Sequence, residues 1–414
     1  MGELHIPCSE PYQIIINAII LVKSFYYNFK EKKVIIMKIG IDALFLRFEK
    51  VGGTESYLKN LLKGFSHINE FNEYYVFVSK NYYNRFNLAS NKINFIKCNI
   101  NNSNRVKRIL YQNIILPIKI KKINPDIMFF PTYTRCINIL DGISVISNVH
   151  DLQYKYYPEY FSFSKILLFK FFYSLSIKKS DHLINISDSV KEDIIKYFGS
   201  QYKEKMKTIN NPIDFDKISK NNNIKPLKKL GIKKGKYILS VASLLPHKNI
   251  TTLVNAFYYY NIKYKENLKL VLVGIKEKST SRIAQLISKF DLEKKIIITG
   301  FVSDNTLSSL YTNALIFIST SKFEGFGMPP IEAMYNKIPV ITTRCASLPE
   351  ITLDEAYYYN PPDDFEVLGE KIHEVVTNYP SDNKLNEIAN KVYENYNLEK
   401  ISKKYIDFFE NILR

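Results

Sequence analysis

Short apolar runs recur along this chain, each followed by a stretch long enough for a helix, and they come in two series split by a polar segment. The first series reads 35–41, 74–78, 93–100, 126–131, 144–149 and 181–187. The second reads 237–241, 268–273, 295–299, 314–319 and 339–342, with a hint of one more strand over 354–359. The runs are mostly apolar, as strands buried on both faces are. Strand alternating with helix therefore predicts an α/β fold with parallel sheets covered on both sides. At 414 residues the chain is too long for one core, and the composition changes after Asn210-Asn-Pro-Ile-Asp-Phe215 into an Asn- and Lys-rich linker. The expectation is two doubly wound domains facing a cleft: residues 37–213, then 214–394 including the linker. Two or three helices close the chain over 364–414.

Charge narrows the partners. The formal net charge is +18, from 58 basic and 40 acidic residues, which admits nucleic acid, an anionic membrane or an anionic substrate. No zinc finger, GXXG loop in context or ribonucleoprotein aromatic motif is present, so nucleic acid is not expected. Many lysines are simply dispersed among Asn, Ile and Tyr. Two stretches mix basic with apolar residues: Arg105 to Lys122, and the aromatic-rich Phe161 to Lys179. Each reads either as a partly buried helix with basic tips or as a surface lying on an anionic membrane. Cys8, Cys98, Cys136 and Cys345 are scattered, with no C-x-x-C pair, which argues against a zinc site or a disulfide framework and fits a reducing compartment. Residues 1–36 form an extension of uncertain role; its apolar part is too short to span a bilayer and lacks the basic start of a signal peptide.

The segment Glu324-Gly-Phe-Gly-Met-Pro-Pro-Ile-Glu332 lies between a predicted strand and a predicted helix. Gly325 and Gly327 let backbone approach a ligand, and N–H groups near Met328 to Glu332 suit a phosphate or hydroxyls. Pro329 or Pro330 suits a first helical turn; Glu332 either binds ribose hydroxyls or caps its own helix. Ser243-Leu-Leu-Pro-His247-Lys248-Asn249 follows the first strand of the second series, where Lys248 either neutralises a diphosphate or faces solvent. Gly52-Gly53-Thr54-Glu55, after the first strand of the chain, is a glycine-lined approach to a ligand or a plain turn, and it lacks the dinucleotide pattern. His150-Asp151 closes a strand; the histidine either serves a sugar hydroxyl or packs.

Taken in order, these motifs resemble the retaining glycosyltransferases of family 4. The strongest match is Glu324 to Glu332 with Ala333-Met, Pro339-Val-Ile and Leu348-Pro-Glu350. Gly52 to Glu55, His150-Asp151, Ser187, Asn211-Pro-Ile-Asp214 and Gly300-Phe-Val-Ser-Asp304 match further landmarks. The resemblance implies two Rossmann-like domains (the GT-B architecture), with a C-terminal helix, here 395–414, crossing back to the first domain. It implies transfer from a nucleotide-sugar donor with retention of configuration and no required metal or other cofactor. Glu324 and His150 match residues near the transferred sugar, Lys248 the diphosphate lysine, Glu332 the ribose ligand, and Gly53 a residue by the phosphates. The donor site would then comprise Gly52, Gly53, Ser243, His247, Lys248, Gly325, Phe326, Gly327, Met328, Pro329 and Glu332, with Glu324, His150 and Lys248 catalytic. One departure stands out: Ser243 replaces an arginine common five residues before the lysine, and Arg344, which follows a strand, is a candidate to compensate.

The resemblance implies a hexosyltransferase in cell-surface polysaccharide synthesis, O-antigen or lipopolysaccharide included. Its acceptor would be a saccharide or lipid-linked saccharide. The serine form of the Lys248 loop is similar to that of mannosyltransferases using GDP-mannose. The expected location is cytoplasmic, peripheral on the inner face of the membrane. The competing readings are a nucleotide-sugar 2-epimerase of the same fold and a non-catalytic nucleotide- or sugar-binding subunit.

Overall fold

The computed structural model describes residues 36–47, 52–68, 72–85, 90–138, 141–218, 224–275 and 282–414. Almost all of the 1–36 extension and the centre of the linker fall outside these residues.

The first domain holds seven parallel strands in the order β3-β2-β1-β4-β5-β6-β7. They are β1 (Lys38–Asp42), β2 (Glu73–Ser79), β3 (Ile93–Cys98), β4 (Ile127–Phe130), β5 (Ser144–Val149), β6 (His182–Asn185) and β7 (Met206–Thr208). The second holds six in the order β10-β9-β8-β11-β12-β13. These are β8 (Tyr237–Val241), β9 (Lys269–Val273), β10 (Ile296–Gly300), β11 (Ile316–Ile318), β12 (Val340–Thr343) and β13 (Tyr357–Tyr359). In both sheets the order reverses beside the first strand, β1 against β4 and β8 against β11. Chains leave those neighbouring strands in opposite directions, which opens a crevice at the carboxyl edge where such sheets bind ligands.

Burial explains why these residues form strands. Ile39, Ile41, Val76, Val78, Ile127 and Phe129 are solvent-free in the first sheet, as are Ile238, Leu239, Leu270, Leu272, Ile316 and Phe317 in the second. One apolar cluster runs through both domains, from Val149, Leu183 and Ile194 to Phe317, Ile331 and Leu348.

The chain passes between domains twice, and the two passages lie side by side. Ile213 donates its N–H to the Tyr396 carbonyl at 2.8 Å and pairs in parallel with Asn397. Lys63 binds Asp214 at 2.8 Å, and Asn60 binds the Pro212 carbonyl at 2.9 Å, fixing the passage to the helix Gly53–Ile68. After the second passage the helix Leu398–Leu413 packs on that same first-domain helix. Its Ile401, Tyr405, Ile406 and Phe409 enter the first-domain core, and the Tyr405 and Tyr57 hydroxyls meet at 2.8 Å.

Several details differ from the sequence expectation. Over 354–359 only Tyr357–Tyr359 is strand, because Leu353 and Asp354 adopt left-handed backbone in the turn before it. The mixed stretch 105–122 is two helices, Arg105–Ile114 and Leu116–Ile123; Pro117 sits in the first turn of the second, where its missing N–H is harmless.

Candidate active site

The site forms where the carboxyl edges of the two sheets face each other. Strand β11 leads into Thr320 to Gly327, and Gly327 turns the chain at φ 91° into the helix Met328–Tyr335. A side chain at Gly327 would be strained by that backbone alone. Pro329 and Pro330 occupy the first turn and have no N–H. The anion-binding donors expected along Met328 to Glu332 are therefore reduced to those beside Gly327 and Met328.

Lys248 comes from the single 3₁₀ turn Pro246–Lys248 after β8, the neighbour of β11. Its ammonium forms an ion pair with the Glu324 carboxylate, and Ser321 Oγ donates to the same oxygen at 2.7 Å. Burial pushes the Glu324 carboxyl up, but Lys248 and Ser321 more than cancel this and hold it below its usual value. Glu324 is thus an anion at neutral pH. Its backbone is fixed by Ser347, whose hydroxyl donates to the Glu324 carbonyl at 2.8 Å.

The first domain supplies the opposite wall. The His150 carbonyl lies against Gly325, only 1.8 Å from where a Cβ would stand. The close approach expected of a ligand at Gly325 is thus made by the protein's own backbone. Ser187 Oγ reinforces the contact by donating to the Gly325 carbonyl at 2.8 Å. His150 Nε2 lies 2.7 Å from the Pro131 carbonyl. That oxygen only accepts, so Nε2 carries the proton and Nδ1 is left as an acceptor. Burial lowers the His150 pKa to about 4, so the ring is neutral, with the Tyr57 ring edge-on at 4.9 Å. Asp151 is half-buried near Glu324 and Lys248; desolvation first, then the Glu324 charge, raises its carboxyl. Gly53, which opens the helix Gly53–Ile68, faces Met328 across the cleft, with 3.5 Å between its Cβ position and the Met328 terminal methyl.

The other sequence candidates divide. Glu332 does not cap its helix: Gly327 holds the cap position, and the Glu332 carboxylate accepts from the Tyr311 hydroxyl at 2.8 Å. Burial raises the Glu332 carboxyl and Tyr311 partly offsets it. His247 is buried and its pKa falls to about 4, through burial and then the Lys248 charge, so it adds no positive charge. Ser243 is half-buried at the start of the Lys248 loop, and Gly52 is exposed at its helix end. Phe326 is displaced from the expected lining: its ring is buried edge-on against Tyr396 at 5.5 Å, so only its backbone is available to a ligand. Arg344 does not replace the missing arginine, since its guanidinium stacks on Tyr358 at 4.2 Å and pairs with Asp354 at 3.4 Å.

Sequence reasoning assigned no role to Glu350 or Ser347. Glu350 accepts from the N–H groups of Asp188 at 2.8 Å and Ser189 at 3.1 Å, joining the second domain to the start of a first-domain helix, Asp188–Phe198. The run Ser347-Leu-Pro-Glu350 was visible; its partner, 162 residues away, was not.

Each half of the chain matches a family profile. Residues 51–217 match Glycosyltransferase Family 4, and 223–392 match Glycosyl transferases group 1. Anabaena HepE in complex with UDP-glucose superposes with a TM-score of 0.70 at 16% identity, over 91% of this chain and all of that one (100%). The chain is a GT-B-fold protein related to glycosyltransferases. Among curated proteins, the GT-B chain is 31% identical over 217 residues to the O-antigen chain mannosyltransferase RfbU of Salmonella typhimurium, covering 52% of this chain and 56% of that protein. It is 26% identical over 220 residues to the O-antigen chain mannosyltransferase B of Escherichia coli, covering 53% and 58%. The chain thus spans little more than half the length of these two relatives.

Proposed function

We propose that this GT-B protein transfers a hexosyl group, with retention of configuration, from a nucleotide-sugar donor to a saccharide or lipid-linked saccharide. The observation carrying this reading is the Lys248–Glu324 pair at the mouth of the Met328–Tyr335 helix, facing His150 and Asp151 across the cleft. Cleaving the bond from anomeric carbon to diphosphate builds negative charge on the leaving oxygen and positive charge on the sugar ring. Lys248 and the N–H groups beside Gly327 suit the first, and ionised Glu324 suits the second. Glu324 pairs with the Lys248 ammonium, so a diphosphate competes with Glu324 for that charge. His150 Nδ1 accepts from a sugar hydroxyl and so orients the ring; a neutral imidazole with its other nitrogen tied to Pro131 does not act as a proton donor there. The leaving phosphate takes the acceptor proton on the same face. Glu332, held by Tyr311, is placed for ribose hydroxyls one helical turn away.

We extend the proposal to the finer level that the relatives support. Mannose from GDP-mannose is the donor, and cell-surface polysaccharide is the product, because the two O-antigen relatives are mannosyltransferases by name. The first domain rests on the inner face of an anionic membrane. The helix Phe163–Lys179 exposes Phe163, Leu167 and Phe171 at four-residue spacing and carries four lysines with no acid. No described helix is long and apolar enough to cross a membrane, so the contact is with its surface. Incubation with a panel of nucleotide sugars and lipid-extract acceptors, followed by product mass and nucleotide release, tests the activity. Donor binding and transfer in the wild type, with transfer lost in Glu324→Ala, are expected. Neither binding nor transfer across the panel would overturn the reading.

A further inference from the structure

The carboxyl edge of the first sheet holds a cationic cluster that the donor chemistry leaves unused. It lies at the switch between β1 and β4, beyond Asp42 and Pro131. The helix Arg105–Ile114 is drawn onto this edge by Gln112, whose Nε2 donates to Asp42 Oδ2 at 2.5 Å and to the Thr134 carbonyl at 3.3 Å. Its first turn therefore presents Arg105 and Arg108. Arg105 donates to the Tyr133 hydroxyl at 2.8 Å and stands 5.6 Å over the Phe169 ring. Lys165 stands over the same ring at 5.5 Å. Arg108 is only 7% exposed, and its buried Nε has no hydrogen-bond partner. Arg47, in the loop after β1, and Arg105 both act on Arg108 with like charge, against the single opposing carboxylate of Asp42.

Arg108 thus faces one carboxylate that is itself already bonded to Gln112 and the Leu44 N–H, with Arg47 and Arg105 close enough to repel it and Lys165 beside Arg105. Buried Arg108, with like charges beside it and its Nε unbonded, costs the fold stability that an entering anion would restore. The cluster also adjoins the reacting centre: Tyr133, which holds Arg105, feels the Asp151 charge, and Asp151 feels Glu324. It sits on the acceptor-side domain, away from Lys248.

We propose that Arg47, Arg105, Arg108 and Lys165 bind a phosphate or diphosphate group carried by the acceptor. This rests on the transferase reading and names the acceptor's chemical class. Arginine forks match phosphate oxygens with paired hydrogen bonds, and desolvation at Arg108 strengthens them. Next to Arg105 a stripe of Val106, Leu110, Ile114 and Ile118, each between 54% and 64% exposed, runs outward at four-residue spacing. A phosphate at the head of an apolar stripe matches a lipid-linked saccharide; a phosphate alone would match a soluble phosphorylated one.

The test is equilibrium binding of farnesyl diphosphate and of inorganic diphosphate to the full chain, with UDP and GDP saturating the donor side. Arg47→Ala and Arg105→Ala should each weaken binding by about tenfold or more, while Lys248→Ala leaves it unchanged. Both arginine variants are checked for normal nucleoside diphosphate binding, so a folding defect is seen as such; Arg47 is held by its loop rather than a core. Tighter binding of farnesyl diphosphate, with the advantage removed by Leu110→Gln, assigns the phosphate to a lipid. Equal binding of the two probes assigns it to a soluble acceptor. No binding by the wild type, indifference to both arginines, or the same loss in Lys248→Ala overturns the proposal. Arginine-dependent binding without any sugar-nucleotide turnover would instead overturn the transferase reading alone.

Discussion

Gly325→Ala is the smallest change that probes how the two domains meet. An added Cβ would lie 1.8 Å from the His150 carbonyl oxygen and 3.1 Å from the Asp151 Cβ. An ordinary contact is nearer 3.4 Å, so the domains must part locally by roughly 1.5 Å or the loop must bend, at a cost of about 1–3 kcal/mol. The clash is between domains rather than within one core. The chain relieves it by opening the cleft, and each domain keeps its own packing. The midpoint of thermal unfolding should therefore fall by roughly 2–12 °C, at the 2–4 °C per kcal/mol of a domain of about 150–250 residues. Turnover should fall more, by about 5- to 150-fold, because the reacting groups are divided between the halves. Ser187→Ala removes one hydrogen bond across the same joint, worth about 1 kcal/mol or near fivefold in turnover, and also the cap on the Val190 N–H, which lowers stability by a further ~1 kcal/mol. The assay is kcat/KM for sugar transfer, with nucleoside diphosphate affinity measured in parallel. Wild-type kinetics in Gly325→Ala would refute the reasoning, since the overlap cannot persist in a closed cleft.

Other outcomes follow from the same site. Lys248→Ala removes the chief charge holding the Glu324 carboxyl low, so diphosphate affinity should fall about tenfold or more by calorimetry. With Lys248 gone, burial dominates at Glu324 and its carboxyl should titrate above its usual value, visible by carboxyl-labelled NMR. His150 and His247 both have folded pKa values of about 4 against about 6.5 when unfolded. The unfolded chain therefore binds more protons between these values: this contribution to stability is complete above 6.5, falls with pH, and is lost near 4. Denaturant midpoints should drop as pH is lowered from 6.5 to 4.5, and less so in His247→Asn. Leu167→Gln should reduce sedimentation with anionic vesicles at low salt, and 0.5 M salt should weaken what remains; unchanged sedimentation removes the membrane contact.

Much of this architecture was legible because parallel strands buried on both faces write themselves as unbroken apolar runs; β8 and β9 are examples. Strand ends were less clear, as at Asp354, where a left-handed turn before Tyr357 shortens β13. The Glu324–Glu332 loop was visible as glycine, proline and carboxylate spacing, yet the motif alone did not say which way each side chain turns. Phe326 points into the core against Tyr396, and Arg344 turns to Tyr358, because contacts from distant segments decide orientation. Ser187 and Gly325 are 138 residues apart, so no local pattern links them. The arginine cluster was hidden for the same reason: Arg47 comes near Arg108 only when the helix Arg105–Ile114 is laid on the end of β1.

The paired passage at Ile213 and Asn397 bears on how such chains can be recombined. A second domain exchanged with a relative's at one junction near 213 would carry the foreign Leu398–Leu413 helix with it. Tyr57, Phe65 and Phe129 would then meet unfamiliar side chains where Tyr405 and Phe409 now fit. A chimaera with two junctions, at 213 and 397, keeps residues 398–414 native to the domain they cover. It should remain soluble while donor preference follows the inserted segment. A single-junction chimaera should aggregate or melt earlier, so under the proposed transferase reading the unit of inheritance for donor choice is an internal cassette rather than a C-terminal half.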